Sequence, residues 1–485
     1  MPTSLRQLYL FDPSAPLLFT GGQFLLWFTL FYVGFLWLRS HAAARLLYLA
    51  AFSWFFYYKC SGVFLAALLF TTVSDFVIAR AIAATCSQGK KKLLLALSIT
   101  LSGGILVYFK YTNFFVGSLA HLASIKFEPF DIALPAGISF YTFESISYAV
   151  DVYRGRLEPS RNFLEYAAYL AYFPHLMAGP IMRAGDLFAE LRAQKPIDAS
   201  RVGSGLFLAM CGLIKKVVIA DTLARFTDAV FAGASGLSGF EVLLGVYGYA
   251  FQIYCDFSGY SDIAIGLARV CGVDLPRNFL NPYAAASITD FWHRWHITLS
   301  SWLRDYIYIP LGGNRRGRLR TYVNLFATML FGGLWHGASM TFVLWGAAHG
   351  LLLCLEKACS RALGRVTSST FGRLLSTVLT FHIVALLWVP FRAGNLHLAR
   401  QLLGRIVGDW DAHVVSSVLH ARFSWLLVLG VGIALSLLAQ GVIERLAQGF
   451  ARRPLWVKSI ALLVVVQATL EFRSTDVQPF IYFQF

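Results

Sequence analysis

The sequence is poor in charge. Only 14% of its 485 residues are Asp, Glu, Lys or Arg, whereas 57% are hydrophobic. A soluble domain carries about 25% charged and about 45–50% apolar residues. A water-soluble chain of this length could not bury so much apolar surface in one core. The composition therefore excludes an ordinary soluble protein and favours one that is embedded in a lipid bilayer.

Several nucleotide-binding and catalytic motifs are also missing. The sequence contains no P-loop, no Rossmann glycine fingerprint and no G-x-S-x-G elbow, so nothing in it indicates an ATP-driven pump or a covalent nucleophile. Its seven cysteines are scattered and form no C-x-x-C pair. We therefore expect neither a cysteine-based zinc site nor a disulfide scaffold.

Positive charge, in contrast, is abundant. The chain has 41 Lys and Arg against 25 Asp and Glu, a net charge of +16. Many of these bases lie in short segments between apolar runs, at 39–45, 90–92 and 315–320. Cytoplasmic loops of membrane proteins carry such an excess of Lys and Arg. The charge therefore indicates which loops face the cytoplasm, and we expect no nucleic-acid partner. The first apolar run, 17–38, lacks a basic leader and a cleavage site, and we expect a retained membrane anchor.

Apolar segments recur along the whole chain. A spanning helix needs about 20 apolar residues, and on this basis we predict roughly 11 to 12 membrane segments. No linker divides the chain, so we expect one all-α domain over residues 1–485. If segments 46–58 and 63–83 form a hairpin, the basic loops on either side face the cytoplasm and the N-terminus lies outside.

Segment 135–150 is too polar to face lipid. It contains Ser139, Tyr141, Thr142 and Glu144, followed by further serines. Polar side chains persist at membrane depth only where other protein or a cavity surrounds them. We therefore predict a re-entrant or cavity-lining helix.

Residues 281–320 interrupt the apolar pattern with charged and aromatic side chains. Asp290, His293 and His296 follow one another at steps of three, which places them loosely on one face of a helix. Three interpretations stay open: a metal site, a structural polar network, or a reacting centre. The missing H-E-x-x-H form weakens the first, and the adjacent aromatic residues favour packing.

His336 lies inside a G-x-x-x-G step formed by Gly333 and Gly337. This spacing lets a second helix approach closely within a membrane. Burial disfavours the protonated ring, and a neutral imidazole can accept a proton from a hydroxyl. The residues alone support a general base and a hydrogen-bonded core histidine about equally.

His349 repeats the pattern thirteen residues later. On one uninterrupted helix it would lie near the opposite face and roughly 20 Å from His336, so the two histidines should not share a site unless the helix breaks. We predict a structural role for His349. His175, between Pro174 and Pro180, is typical of a kinked helix that shapes a cavity.

Two further polar sets lie elsewhere in the chain. We expect Asp256 and Asp262, in an apolar segment, to satisfy buried donors. The basic segment 315–320 either holds the phosphates of a cytosolic donor or reflects topology alone.

Taken in order, these motifs resemble the membrane-bound O-acyltransferase family, and within it the bacterial branch of alginate O-acetylases and teichoic acid D-alanyl transferases. The matching segments are 134–143, 151–155, 173–180, 256–262, 291–314, 334–337 and 479–485. The resemblance runs from about residue 45 to the C-terminus, with core motifs in 134–350, whereas 1–44 differ from the family's usual start. The sequence at 311–315 is similar to the alginate-type branch.

The resemblance implies a ring of helices around a tunnel, with the family's invariant histidine at its constriction. That histidine corresponds to His336, and a second prominent one to His296. The implied catalytic residues are therefore His336, His296 and Asp305. We expect substrate contacts from Trp335, Arg304, His175, Asn324, Arg315 and Arg316.

The resemblance also implies the reaction. An acetyl-CoA-type donor would enter from the cytosol, with no bound cofactor or metal, in the bacterial inner membrane. The acceptor would be an exported polysaccharide such as alginate, peptidoglycan or cellulose, reached directly or through a periplasmic or membrane-anchored acyltransferase partner. Alternatives are transfer of D-alanyl or another acyl group to a cell-wall polymer, and a non-catalytic transporter or channel.

Overall fold

The computed structural model describes residues 8–233, 236–472 and 480–481. Helices dominate, and no strand occurs in these ranges, which confirms the predicted all-α class. By their internal contacts the residues form two compact units: Met1–Ala209 with Ile263–Pro276, and Met210–Asp262 with Arg277–Phe485. The single domain expected from the sequence stays a prediction. Apart from Phe480 and Ile481, the motif at 479–485 lies outside the described residues.

The first unit contains the N-terminal helices. They are α1 (Gly22–Trp37), α2 (Ala42–Ser61), α3 (Leu65–Ala84), α4 (Gln88–Leu106), α5 (Thr112–Leu122), α6 (Ile138–Tyr153), α7 (Phe163–Leu170), α8 (Phe173–Leu176), α9 (Ala184–Ala193) and most of α10 (Ala199–Leu213). A π-helical turn, Val107–Tyr111, joins α4 to α5.

The second unit contains the remaining helices. They are α11 (Asp221–Phe231), most of α12 (Gly239–Val270), α13 (Ile288–Arg294), α14 (Ile297–Leu303), α15 (Arg318–His336), α16 (Met340–Ala358), α17 (Ser360–Thr367), α18 (Thr370–Arg392), α19 (Leu396–Gly408), α20 (Ala412–Ala421), α21 (Phe423–Leu437), α22 (Gln440–Ala451) and α23 (Leu455–Phe472). π-Helical turns precede α11 (Ile214–Ala220) and follow α14 (Arg304–Tyr308).

Five helical runs among the described residues are long and apolar enough to cross a membrane: Ala42–Ala84, Gln88–Leu122, Ala199–Phe231, Thr370–Arg392 and Leu455–Phe472. The bent pairs α16–α17 and α20–α21 raise the number to seven if each is one span. The protein is thus a multi-pass membrane protein. The roughly 11 to 12 segments of the prediction also included α12 and α15, which are long enough but too polar to meet this test.

The hairpin of 46–58 and 63–83, which was the condition of the topology argument, is not formed. These residues lie in one helical run, Ala42–Ala84, which a 3-10 turn at Gly62–Phe64 interrupts. The two parts do not pack along one another. As a single span, the run would place the basic segments 39–45 and 90–92 at opposite ends, so the argument that both face the cytoplasm loses its premise.

The polar helix α6 is enclosed by protein in the first unit, as predicted for 135–150. Most of its side chains are buried, including Glu144 and Ser145. Asp75 of α3 accepts hydrogen bonds from Ser145 and, at 2.8 Å, from Ser98 of α4. These bonds tie three helices together through one buried carboxylate.

Asp256 and Asp262 of the second unit satisfy buried donors, as expected. Lys216 donates to Asp256 and lies 2.8 Å from Asp221, and Lys215 donates to Asp262 at 2.7 Å. The segment Phe480–Ile481 covers this cluster. Its Ile481 N–H donates to Asp256 at 2.9 Å, and the Phe480 ring lies 5.1 Å from the Lys216 ammonium.

Candidate active site

The helical hairpin α15–α16 determines the position of His336. Helix α15 ends at His336, and α16 begins after Ser339, whose hydroxyl accepts the Thr341 N–H at 3.3 Å. Gly333 permits the close packing of the two helices. A Cβ atom there would lie 2.4 Å from the Phe342 carbonyl oxygen and 2.9 Å from the Gly346 Cα. The close helix approach predicted for Gly333 is therefore present.

Aromatic rings enclose the His336 side chain, which is 3% exposed. Ring centroids lie 5.0 Å away in Trp335, 5.1 Å in Trp345 and 5.2 Å in Phe391. Each of these three contacts is edge-on, so the rings hold the imidazole from several directions. Trp345 and Phe391 were not singled out in the sequence, because ring-rich segments occur throughout a chain that is 16% aromatic.

His296 lies between α13 and α14 in a left-handed backbone conformation, with φ 43° and ψ 54°. Non-glycine residues rarely adopt positive φ, and such strain concentrates at functional positions. The side chain is fully buried. Its ring lies 4.7 Å from Phe257 and 5.9 Å from Trp335. His296 and His336 therefore pack against the same indole.

Asn278 supports the segment that follows His296. Its carbonyl oxygen accepts the Ile297 N–H at 3.0 Å, and its side-chain oxygen accepts the Thr298 hydroxyl at 2.7 Å. Asn278 is buried. No motif in the sequence marks this role, because the contact joins residues twenty positions apart.

The predicted common face of Asp290, His293 and His296 is wrong, because α13 ends at Arg294. Asp290 accepts a hydrogen bond from Arg294 at 2.7 Å, and His293 is exposed while His296 is buried. No cluster of three or more His, Cys, Asp or Glu side chains in the described ranges is placed to hold a metal ion. These three residues do not form a metal site.

His349 is closer to His336 than a single helix would allow. The break at 337–339 turns the chain back, and Trp345 contacts both histidines, at 5.1 Å from His336 and 4.7 Å from His349. Trp292 donates to His349 Nδ1 at 3.3 Å. Because the helix breaks, the separation expected for an uninterrupted helix does not apply, and the buried hydrogen bond fits the predicted structural role.

The other predicted residues of the second unit have hydrogen-bond partners of their own or are exposed. Arg304 donates to Asp305 at 2.8 Å, and this hydrogen bond raises the pKa of Arg304. Asn324 donates to the Gly313 carbonyl at 2.9 Å. On α15 it lies twelve residues before His336, about 18 Å along the axis. Arg315 and Arg316 are exposed in the loop between them.

His175 belongs to the first unit. It is buried in the short helix α8, with its Nδ1 atom 3.2 Å from the Glu144 carboxylate. Glu144 also accepts the Met182 N–H at 2.8 Å. The structure thus pairs His175 with the polar helix α6.

Comparison with known proteins identifies this arrangement. The model of the membrane-bound O-acyltransferase family matches residues 156–385, which include His175, His296 and His336. A probable alginate O-acetylase, AlgI, of Pseudomonas putida is 40% identical over 97% of this chain and 100% of its own length. The chain belongs to the membrane-bound O-acyltransferase family.

Two other relatives of this acyltransferase differ in their acceptors. A peptidoglycan O-acetyltransferase of Helicobacter pylori is 37% identical over 78% of this chain and 77% of its own length. A teichoic acid D-alanyltransferase of Bacillus subtilis is more distant, at 24% identity over 54% of this chain and 69% of its own length. The resemblance found in the motifs, and the expected acyltransferase activity, are confirmed.

Proposed function

We propose that this acyltransferase O-acetylates an exported cell-envelope or extracellular polysaccharide, with His336 at the reacting centre and His296 assisting. The observation that carries the proposal is the packing of both histidines against Trp335 in a buried, ring-lined site. Relatives at 40% and 37% identity support acetyl transfer, since their names describe O-acetylation of alginate and of peptidoglycan, whereas the D-alanyltransferase is only 24% identical.

In the proposed reaction the donor is a thioester of the acetyl-CoA type. His336 takes the proton of the acceptor hydroxyl, whose oxygen attacks the thioester carbonyl. The C–O bond forms, the C–S bond breaks, and the thiolate leaves with the proton returned by the imidazolium. His296 would orient the acceptor or stabilise the developing oxyanion by hydrogen bonding. Asp305 was expected to assist, and we propose that it does so by positioning Arg304.

The donor is proposed to come from the cytosol, which places the enzyme in the inner membrane. Exposed bases at 315–320 support this direction, because they would attract the phosphates of a CoA thioester. The acetyl group would pass to a polysaccharide hydroxyl, or first to a hydroxyl of a periplasmic or membrane-anchored acyltransferase partner. Trp335 would line the acceptor path.

The test is thioester turnover by purified protein in detergent, where no gradient exists. Wild-type protein supplied with acetyl-CoA and acceptor should release CoA, and His336→Ala should reduce the rate by about 10²–10⁴-fold. His397→Ala is the matched control, since His397 is exposed on α19. Folding is checked by the thermal unfolding midpoint of each variant.

Three results would count against the proposal. If acetyl-CoA stayed intact after incubation with folded wild-type protein and its acceptor, acetyl-CoA would be excluded as the donor and a transporter would be favoured. Full activity of His336→Ala would remove the role of His336. Faster turnover of a D-alanyl thioester than of acetyl-CoA would replace acetyl transfer by D-alanyl transfer.

A further inference from the structure

A large groove lies in the second unit, and Trp292, whose ring packs against Trp345, forms part of its wall. It has a volume of about 920 Å³ and is lined by residues of α13 to α18. Much of its wall is aliphatic, from Leu325, Leu352, Leu355, Leu363, Leu379 and Ile383. Leu355 and Leu379 are more than half exposed. Small-molecule pockets measure about 300–1,000 Å³, so this groove is large enough for a long apolar chain.

Helix α17 forms part of the groove wall. It meets α16 at an angle of 79°, as expected for a helix that leaves the membrane and lies along its surface. Leu363, Gly364 and Thr367 line the groove, whereas Arg361 and Arg365 of the same helix do not. An amphipathic helix of this kind lies in the interface between headgroups and acyl chains.

The charge around α17 has one sign. Residues 357–373 contain Lys357, Arg361, Arg365 and Arg373 and no Asp or Glu. Lys357 lines the groove, and so does Arg304. The acidic residue on the lining, Glu356, accepts the Thr289 N–H at 3.1 Å. Basic clusters beside membrane helices attract anionic lipid headgroups.

We propose that this groove binds an anionic phospholipid, with an acyl chain against its leucines and the phosphate near Lys357, Arg361 and Arg365. The apolar wall matches the chain, and the basic helix at the interface matches the headgroup. A CoA nucleotide fits less well, because its polar groups would be placed against aliphatic side chains. The proposal does not depend on acyl transfer, since lipid binding is measured without turnover.

The experiment uses full-length protein in phosphatidylcholine nanodiscs that contain spin-labelled phosphatidylglycerol or spin-labelled phosphatidylcholine. The fraction of immobilised label reports lipid bound to protein. One variant combines Lys357→Gln, Arg361→Gln and Arg365→Gln. Its control combines Arg400→Gln, Arg452→Gln and Arg453→Gln, which remove the same charge at exposed positions outside the groove. A second variant, Gly364→Leu, fills the groove where a Cβ meets nothing within 4 Å.

Wild-type protein should prefer phosphatidylglycerol. The groove triple variant should lose up to about fivefold in this preference for each base removed, whereas the control variant should keep it. Gly364→Leu should lower the immobilised fraction of phosphatidylglycerol while the unfolding midpoint stays unchanged. Equal retention of both lipids by wild type, or unchanged retention in both groove variants, would overturn the proposal. Displacement of the bound label by acetyl-CoA would assign the groove to the donor instead.

Discussion

One buried polar cluster in each unit can be compared, the Asp75 cluster of the first unit and the surroundings of His336 in the second. In the first unit, polar groups face polar groups: Asp75 accepts hydrogen bonds from Ser98 and Ser145, and His175 lies 3.2 Å from Glu144. In the second unit, His336 is surrounded by the rings of Trp335, Trp345 and Phe391. The Asp75 carboxylate of the first unit is therefore held by hydrogen bonds, whereas the His336 ring of the second unit is enclosed by aromatic packing.

This difference predicts that the Asp75 cluster contributes to stability and that the surroundings of His336 contribute to the reaction. A hydrogen-bonded carboxylate joins helices, and its oxygens are then occupied by the partners that hold it. Edge-on ring contacts help to fix the position of an imidazole. We expect changes in the Asp75 network to alter the free energy of unfolding, and changes around Trp335 to alter the rate per folded molecule.

His296→Asn gives the sharpest test of the second half of this comparison. Asparagine tolerates the left-handed backbone of residue 296, so the fold should be retained. Loss of the imidazole should lower the acetyl-transfer rate by about a hundredfold or more, measured as CoA release. A chelator should leave the wild-type rate unchanged. A rate that falls on addition of a chelator would contradict this prediction and would favour a metal-dependent reaction.

Gly333→Ala should affect both properties. The new methyl group would meet the Phe342 carbonyl and Gly346, push α16 away from α15 and shift Trp345 from His336. We expect a loss of about 1–3 kcal/mol in stability and a lower rate. Gly332→Ala is the adjacent control, because its Cβ would meet only the flexible end of Leu303, at 3.1 Å. Equal behaviour of the two variants would show that the hairpin tolerates a wider spacing.

Asp75→Ala should change stability alone. The serine hydroxyls would lose their acceptor inside the protein, which costs about 1–3 kcal/mol. The unfolding midpoint in detergent should fall, while CoA release per folded molecule stays at the wild-type value. Asp131→Ala, at an exposed site in the same unit, should change neither. A slower reaction at unchanged stability would place Asp75 in the chemistry and break the comparison.

The smallest effect is expected outside both clusters. Replacing Arg315, Arg316 and Arg318 by Gln should raise the apparent KM for acetyl-CoA by about tenfold at low ionic strength, with little change in kcat. Added salt should reduce the difference. Replacing Lys90, Lys91 and Lys92 by Gln removes the same charge elsewhere and serves as the control. An equal rise in KM for both triple variants would mean that net charge, and not this loop, attracts the donor.

Local patterns in the sequence predicted several features of the fold and of the site. The small residues around Gly333 predict the close helix pair, and the polar side chains of 135–150 predict an enclosed helix. Both patterns report constraints that act within one segment. The motif resemblance implied His296 as a second catalytic residue beside His336, and in the structure both rings pack against Trp335.

The features that the sequence did not indicate arise where the chain turns or where residues distant in sequence meet. The turn at 337–339 brings His349 beside Trp345. Gly337 and Ser339 mark the end of one helix and the start of the next, and hydrophobic periodicity alone does not include this signal. The positive φ of His296 places it outside the helix on which Asp290 lies. Asn278 contacts Thr298 across twenty positions, and no single-segment pattern contains that information.

The docking of Phe480 and Ile481 on the Lys216–Asp256 pair has a practical consequence for protein engineering. An affinity tag or fluorescent reporter inserted shortly after Ile481 would begin close to a ring that lies on a buried ammonium group. Pulling that ring away would expose the ion pair to solvent. Reporters for activity measurements therefore belong at sites away from this segment or behind a long flexible linker.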